Sequence, residues 1–90
     1  MENIKGLWDQ YTDTTELLAV ISEMGNSSFT CIELSKSPYG IYLGRNTLGR
    51  FTEEEERAIN MAADNLLKVI GESLVSCKER LKQRLIEELK

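Results

Sequence analysis

The residue types that do most protein chemistry are thinly represented in this chain. It has no histidine and only two cysteines, which removes the His-based triads and general bases and the usual zinc ligand sets by inventory. Cys31 and Cys77 stand far apart and match no metal or redox spacing, so isolated buried thiols are expected. The segment Gly44-Arg45-Asn46-Thr47-Leu48-Gly49-Arg50 has the glycine spacing of a phosphate-cradling loop. Arg50 stands where lysine belongs, however, and Phe51 where a hydroxyl would hold magnesium. The run Glu53-Glu54-Glu55-Glu56 supplies adjacent carboxylates, but solvated neighbours at a helix start have nothing to drive their pKa values apart, as acid–base catalysis requires. Capping and dipole roles account for it, with mimicry of a nucleic-acid backbone for a basic partner as the alternative. One constellation remains. Lys36, Arg45 and Arg50 with Tyr39 and Tyr42 form the only basic, aromatic-bearing stretch, where stacking and cation contact would hold a partner, a nucleotide or a single strand, unless it is plain hairpin surface. No catalytic residue, metal site or cofactor follows from the sequence.

The elements that would carry these residues must fit one small domain. The chain has 90 residues, 41% hydrophobic and 29% charged, a composition that folds but is too short for two cores, so residues 1–90 are expected to form a single unit. No run approaches the ~18 apolar residues of a membrane span. The start Met-Glu-Asn-Ile-Lys lacks the basic and apolar regions of a signal peptide, and a soluble, cytoplasmic protein is expected. A net charge of −4 disfavours membrane surfaces and double-stranded nucleic acid. The charge alternates in blocks: acidic over 1–30, basic over 31–51, acidic over 52–76 and basic over 77–90. Such blocks suit antiparallel or head-to-tail pairing of copies or docking on a charged partner, and equally four solvated surfaces.

Periodicity supplies the element order. Ile4, Leu7, Trp8 and Tyr11 share a helical face, predicting a short helix over about 3–11. Asp13-Thr14-Thr15-Glu16 reads as a capping box opening a second helix over 14–24, closed by Gly25-Asn26. β-branched and aromatic residues from Ser28 to Leu34 predict a strand. Turn chemistry over Ser35–Gly40 and the extended pattern of Ile41-Tyr42-Leu43 complete a β-hairpin. Residues 45–50 are a loop, or a turn into a third strand. Thr52 followed by the four glutamates caps a long helix interrupted only by Gly71, a residue that permits a kink. The fold class is therefore α+β: residues 1–51 form helix and hairpin, and 52–90 the long helix.

That helix outruns its own domain. From 53 to 90 it would measure about 57 Å at ~1.5 Å per residue, against a radius of gyration near ~12 Å for a compact chain of this length. Its apolar stripe, Ile59, Ala63, Leu66, Ile70, Leu74, Cys77, Leu81, Leu85 and Leu89, continues to the end. The spacing is nearer an eleven-residue repeat than strict heptads, so packed helices should lie nearly straight or wind slightly right-handed. A second copy of the helix is the expected cover, giving a homodimer or higher oligomer with a coiled-coil-like intersubunit contact through Ile59, Ala63, Leu66, Ile70, Leu74, Leu81 and Leu85. The alternative is a fold-back at Gly71 that packs the last residues on the same chain.

Two motif resemblances bear on function. Gly40-Ile41-Tyr42 matches the first half of a GIY-YIG nuclease signature, but the glutamate run occupies the place of the second half. Tyr39-Gly40-Ile41-Tyr42-Leu43 and Arg50-Phe51-Thr52-Glu53-Glu54-Glu55 leading to Ala63, Leu66 and Ile70 resemble the closing strand and C-terminal helix of GAF-type sensor domains. That resemblance implies a helix continuing into a dimeric signalling coil. The strands and helices that enclose the family's ligand have no counterpart here, so no ligand residue carries over. The expected function is that of a non-enzymatic, homo-oligomeric interaction protein, an adaptor, regulator or inhibitor, whose partner is another protein. The alternative is a small-ligand module in which Lys36, Tyr39, Tyr42, Arg45 and Arg50 hold a nucleotide or other anion at an intersubunit cleft.

Overall fold

The computed structural model describes residues 4–25 and 29–90. In chain order come α1 (Ile4–Met24), β1 (Ile32–Lys36), β2 (Tyr39–Leu43), the one-turn helix α2 (Arg45–Leu48) and α3 (Glu53–Glu88). The class is α+β: N-terminal helix, antiparallel hairpin and long C-terminal helix.

α3 starts where Thr52 dictates. The Glu55 backbone N–H donates to Thr52 Oγ1 at 3.1 Å, and the Thr52 N–H donates to Glu55 Oε1 at 2.9 Å, a reciprocal box that satisfies two donors at the helix start. The helix then runs 36 residues unbroken through Gly71. No fold-back occurs there.

α1 is one helix of 21 residues, not two. The Thr14 and Thr15 hydroxyls donate to the carbonyls of Gln10 and Tyr11 at 2.8 and 2.9 Å, the back-bonding by which threonine sits inside a helix and not at its cap. Packing overrides the capping signal, because Leu7, Tyr11, Thr14, Leu18 and Ile21 form a continuous line at offsets of four and three, and Thr14 is itself buried. The Gly25 N–H donates to the Ile21 carbonyl at 3.0 Å just beyond the helix. The expected helix start at Asn3, the stop residue Asn26 and the strand start at Ser28 lie outside the described residues.

The hairpin pairs Ile32 with Leu43, Leu34 with Ile41 and Lys36 with Tyr39. Phe29, Thr30 and Cys31 precede β1, and the strands extend further toward the turn than expected, leaving only Ser37-Pro38, whose peptide is cis. The segment read as a loop or third strand is α2: the Thr47 and Leu48 N–H groups donate to the Gly44 carbonyl at 3.1 and 2.9 Å. α2 leans on β2, and Leu48 is buried.

α1 packs antiparallel along the later part of α3. Leu7, 1% exposed, meets Leu81 and Leu85 at 5% and 8%, with Tyr11 and Cys77 at the rim. Lys78 Nζ lies 5.5 Å from the Tyr11 ring centroid, and Trp8 stacks on Tyr11 at 5.8 Å. At the other end Ile21 reaches Gly71. The α3 positions along this line, Leu67, Gly71, Leu74, Lys78, Leu81 and Leu85, alternate by four and three, so the two helices share a heptad seam. Leu81 and Leu85, expected in a contact between copies, are covered by the chain's own α1, and Leu74 lies on the same seam. Acidic α1 lies beside the basic end of α3. Of the two free thiols, Cys31 is exposed and Cys77 half-buried, so Cys31 is not the buried residue expected.

The molecule measures 57 × 30 × 15 Å with a radius of gyration of 17.4 Å, against ~12 Å for a compact chain of this length. Its 15 Å thickness is little more than the ~10–12 Å diameter of one helix. The helices therefore form a single layer. No helix among the described residues is long and apolar enough to cross a membrane.

Leu7→Ala is expected to lower stability by roughly 2–5 kcal/mol through lost burial and the cavity left, read from urea denaturation. Gly71→Ala has the opposite sign. The added Cβ would lie 3.7 Å from Ile21 Cγ2, an ordinary contact, and the helix gains about 1 kcal/mol. A lower denaturation midpoint would mean the helices approach more closely than the seam shows.

Candidate assembly surface

The heptad seam divides the surface of α3 into two flanks, one mixing charged residues with exposed Val75 and one without charge over residues 59–73. Asp64, Lys68 and Glu72 recur every four residues and so share one flank. They border a shallow groove with Leu18, Ile21 and Ser22 of α1. At 100° per residue the other flank carries Ile59, Ala62, Ala63, Leu66, Val69, Ile70 and Ser73, with no charge. Met24 of α1 shares a hollow with Leu66, alongside Ala63, Phe29 and Ile32, which fixes the side of the layer on which this flank lies. Val20 and Leu17 extend the surface back along α1, four and seven positions before Met24. Leu66 is 49% and Ile70 39% exposed, and Leu17, Val20 and Met24 are exposed too. A surface of aliphatic side chains two helices wide thus lies beside the seam, bordered at its Met24 and Leu66 end by Phe29 and β1 and open elsewhere.

The residues expected to form the assembly contact divide accordingly. Leu66 and Ile70 lie on the open flank with half-buried Ile59 and Ala63, whereas Leu74, Leu81 and Leu85 belong to the seam inside the chain. The broad apolar stripe of Leu17, Leu18, Val20, Ile21 and Met24 in the sequence divides in the same way, with Leu18 and Ile21 in the line that faces α3. Leu17, Val20 and Met24 recur at i, i+3 and i+7, beside and not within that line.

The five partner or ligand candidates do not converge. Lys36 and Tyr39 face each other across the hairpin and line a shallow hollow with Leu34 and Ile41. Tyr42 is three positions from Tyr39 and so projects from the opposite face of the strand. Arg45 opens α2, Arg50 follows it, and both are exposed. No pocket among the described residues gathers the set. The Gly44–Gly49 interval offers no phosphate cradle either, because the amides of Thr47, Leu48 and Gly49 are already bonded to the Gly44 and Arg45 carbonyls. Among the described residues no cluster of three or more His, Cys, Asp or Glu could hold a metal ion.

One polar contact stands out on the hairpin. The Tyr42 phenol pKa is raised, chiefly through side-chain hydrogen bonding with Cys31, then through the charge interaction with Cys31, desolvation and the negative charge of Glu33, which pairs with Tyr42 across the hairpin. No protein-family model, no curated protein and no solved structure matches the chain.

The Tyr42 contact has a pH signature. A raised phenol pKa means the neutral form is retained to higher pH than in an isolated tyrosine, and the contact is lost as pH rises through that value. Cys31→Ala should therefore lower the Tyr42 ionisation midpoint in a near-ultraviolet titration assigned with Tyr42→Phe. An unchanged midpoint would rule the contact out.

Proposed function

We propose that this chain is a non-enzymatic interaction protein of the cytoplasm that self-associates and acts, as adaptor, regulator or inhibitor, by binding another protein. The observation that supports this most is the missing second layer. A domain buries its core between at least two layers of secondary structure, and here one layer leaves an uncharged aliphatic flank facing solvent. The accessible surface is 7420 Å², whereas a folded monomer of this mass exposes about 5,300 Å² by the usual scaling. The excess of roughly 2,100 Å² is more than the ~800 Å² that each side contributes to a standard interface. A second copy laid flank to flank through Leu66, Ile70, Leu17 and Met24 makes a four-helix, two-layer body, and a two-fold contact is the common way to close it. The GAF-type likeness over residues 39–70 fits this, since the helix of that family continues into a dimer contact. Lys36, Arg45 and Arg50, exposed on the hairpin and at α2 but not gathered into one site, are cations open to a protein partner.

Sedimentation equilibrium at micromolar concentration should give a dimer or larger species. Leu66→Glu with Ile70→Glu should give a monomer that keeps its helical circular dichroism, while Asp64→Ala on the charged flank leaves the mass unchanged. A wild-type chain that is monomeric with its full helix content would overturn the reading.

A further inference from the structure

The hairpin holds a second unfilled position, and its two strands are not alike. β1 is the inner strand: Ile32, Glu33 and Leu34 line the hollow shared with Met24, Ala63 and Leu66, and no β2 residue does. β2 is the outer strand, and among the described residues no strand other than β1 pairs with it, while α2 leans on its end. A strand edge presents unpaired N–H and C=O groups, and proteins ordinarily blunt such edges with charge, proline or a bulge. β1 carries Glu33 and Lys36. β2, Tyr-Gly-Ile-Tyr-Leu, carries no charge and no proline, and Pro38 and Arg45 fall just outside it. Its side chains are equally open. Leu34 and Ile41, directly paired across the hairpin, are both half-exposed, at 50% and 55%, although a hairpin of two five-residue strands is at best marginally stable without further cover.

From this edge we infer that β2 pairs antiparallel with β2 of a second copy about a two-fold axis at Ile41, so that two hairpins join into one four-stranded sheet. The inference rests on the self-association proposed above and names a strand that takes part in it. The register follows from symmetry. Ile41 opposes Ile41 of the second copy, Gly40 opposes Tyr42, and Tyr39 opposes Leu43. No like charges meet, the aliphatic and aromatic pairs are those that stabilise a sheet, and Leu34 and Ile41 of both copies form one apolar surface. A second copy is the occupant because the excess exposed area exceeds what one standard contact removes, and because an uncharged strand of this length is complementary to itself.

Cysteine cross-linking tests the register. Residues directly opposed in an antiparallel pair have Cα atoms roughly 4.5–5.5 Å apart, within disulfide reach. In the background Cys31→Ser with Cys77→Ser, Ile41→Cys should convert to a covalent dimer under mild oxidation, whereas Glu33→Cys on the inner strand should not. Sedimentation of the reduced Ile41→Cys protein, run in parallel, separates the possible failures. If the chain self-associates but Ile41→Cys does not cross-link, or Glu33→Cys cross-links as readily, the strand pairing is wrong and the self-association stands. If the wild-type chain is monomeric, both are wrong.

Discussion

The seam between α1 and α3 is the contact on which the rest of this molecule depends. It is the most extensive contact between elements among the described residues; the hairpin meets the helices only through a shallow hollow at Met24, Ala63 and Leu66. The seam holds because both helices repeat their inward residues at offsets of four and three, so knobs on one meet spaces on the other over several turns. It is best filled at one end, where Leu7 lies between Leu81 and Leu85. It thins toward the other, where Ile21 meets a glycine, Gly71. That gradient places the most secure packing far from the hairpin and leaves the hairpin end, which carries exposed Tyr39 and Tyr42, as the less supported part.

The same seam explains how a long helix can be amphipathic twice. The seam repeats every seven residues whereas the apolar stripe repeats nearer every eleven, so a line of apolar residues that begins on the seam at Leu85 and Leu81 does not stay on it. By Ile70 and Leu66 the line has moved one position off the seam residues Gly71 and Leu67, onto the open flank. What reads along the sequence as one stripe is two surfaces that merge near the C-terminus. One closes the chain on itself, and the other is left for something else.

An apolar flank of this kind has a physical cost that the monomer alone does not remove. The chain exposes aliphatic side chains on both helices and on the hairpin while burying few of them, and at roughly 25 cal/mol per Å² of apolar surface the drive to cover that flank is large for so small a body. The charged row Asp64, Lys68 and Glu72 lies on the other flank of α3, so the association proposed above would be directed to one side of the layer.

Much of this was legible in the residues themselves. The capping box at Thr52, the length of α3 and the hairpin follow from local rules that neighbours rarely overturn, because each is decided within a few positions along the chain. The continuity of α1 across Thr14 and Thr15 was not legible from the capping pattern, since the same residues serve a helix start or a helix interior according to whether a packed face runs through them. Nor did the pattern say which of Leu66, Ile70, Leu81 and Leu85 face α1 and which face solvent. That depends on where a second helix, distant in sequence, comes to rest, and only the tertiary structure decides it: helical periodicity says which residues share a side, but not what lies against that side.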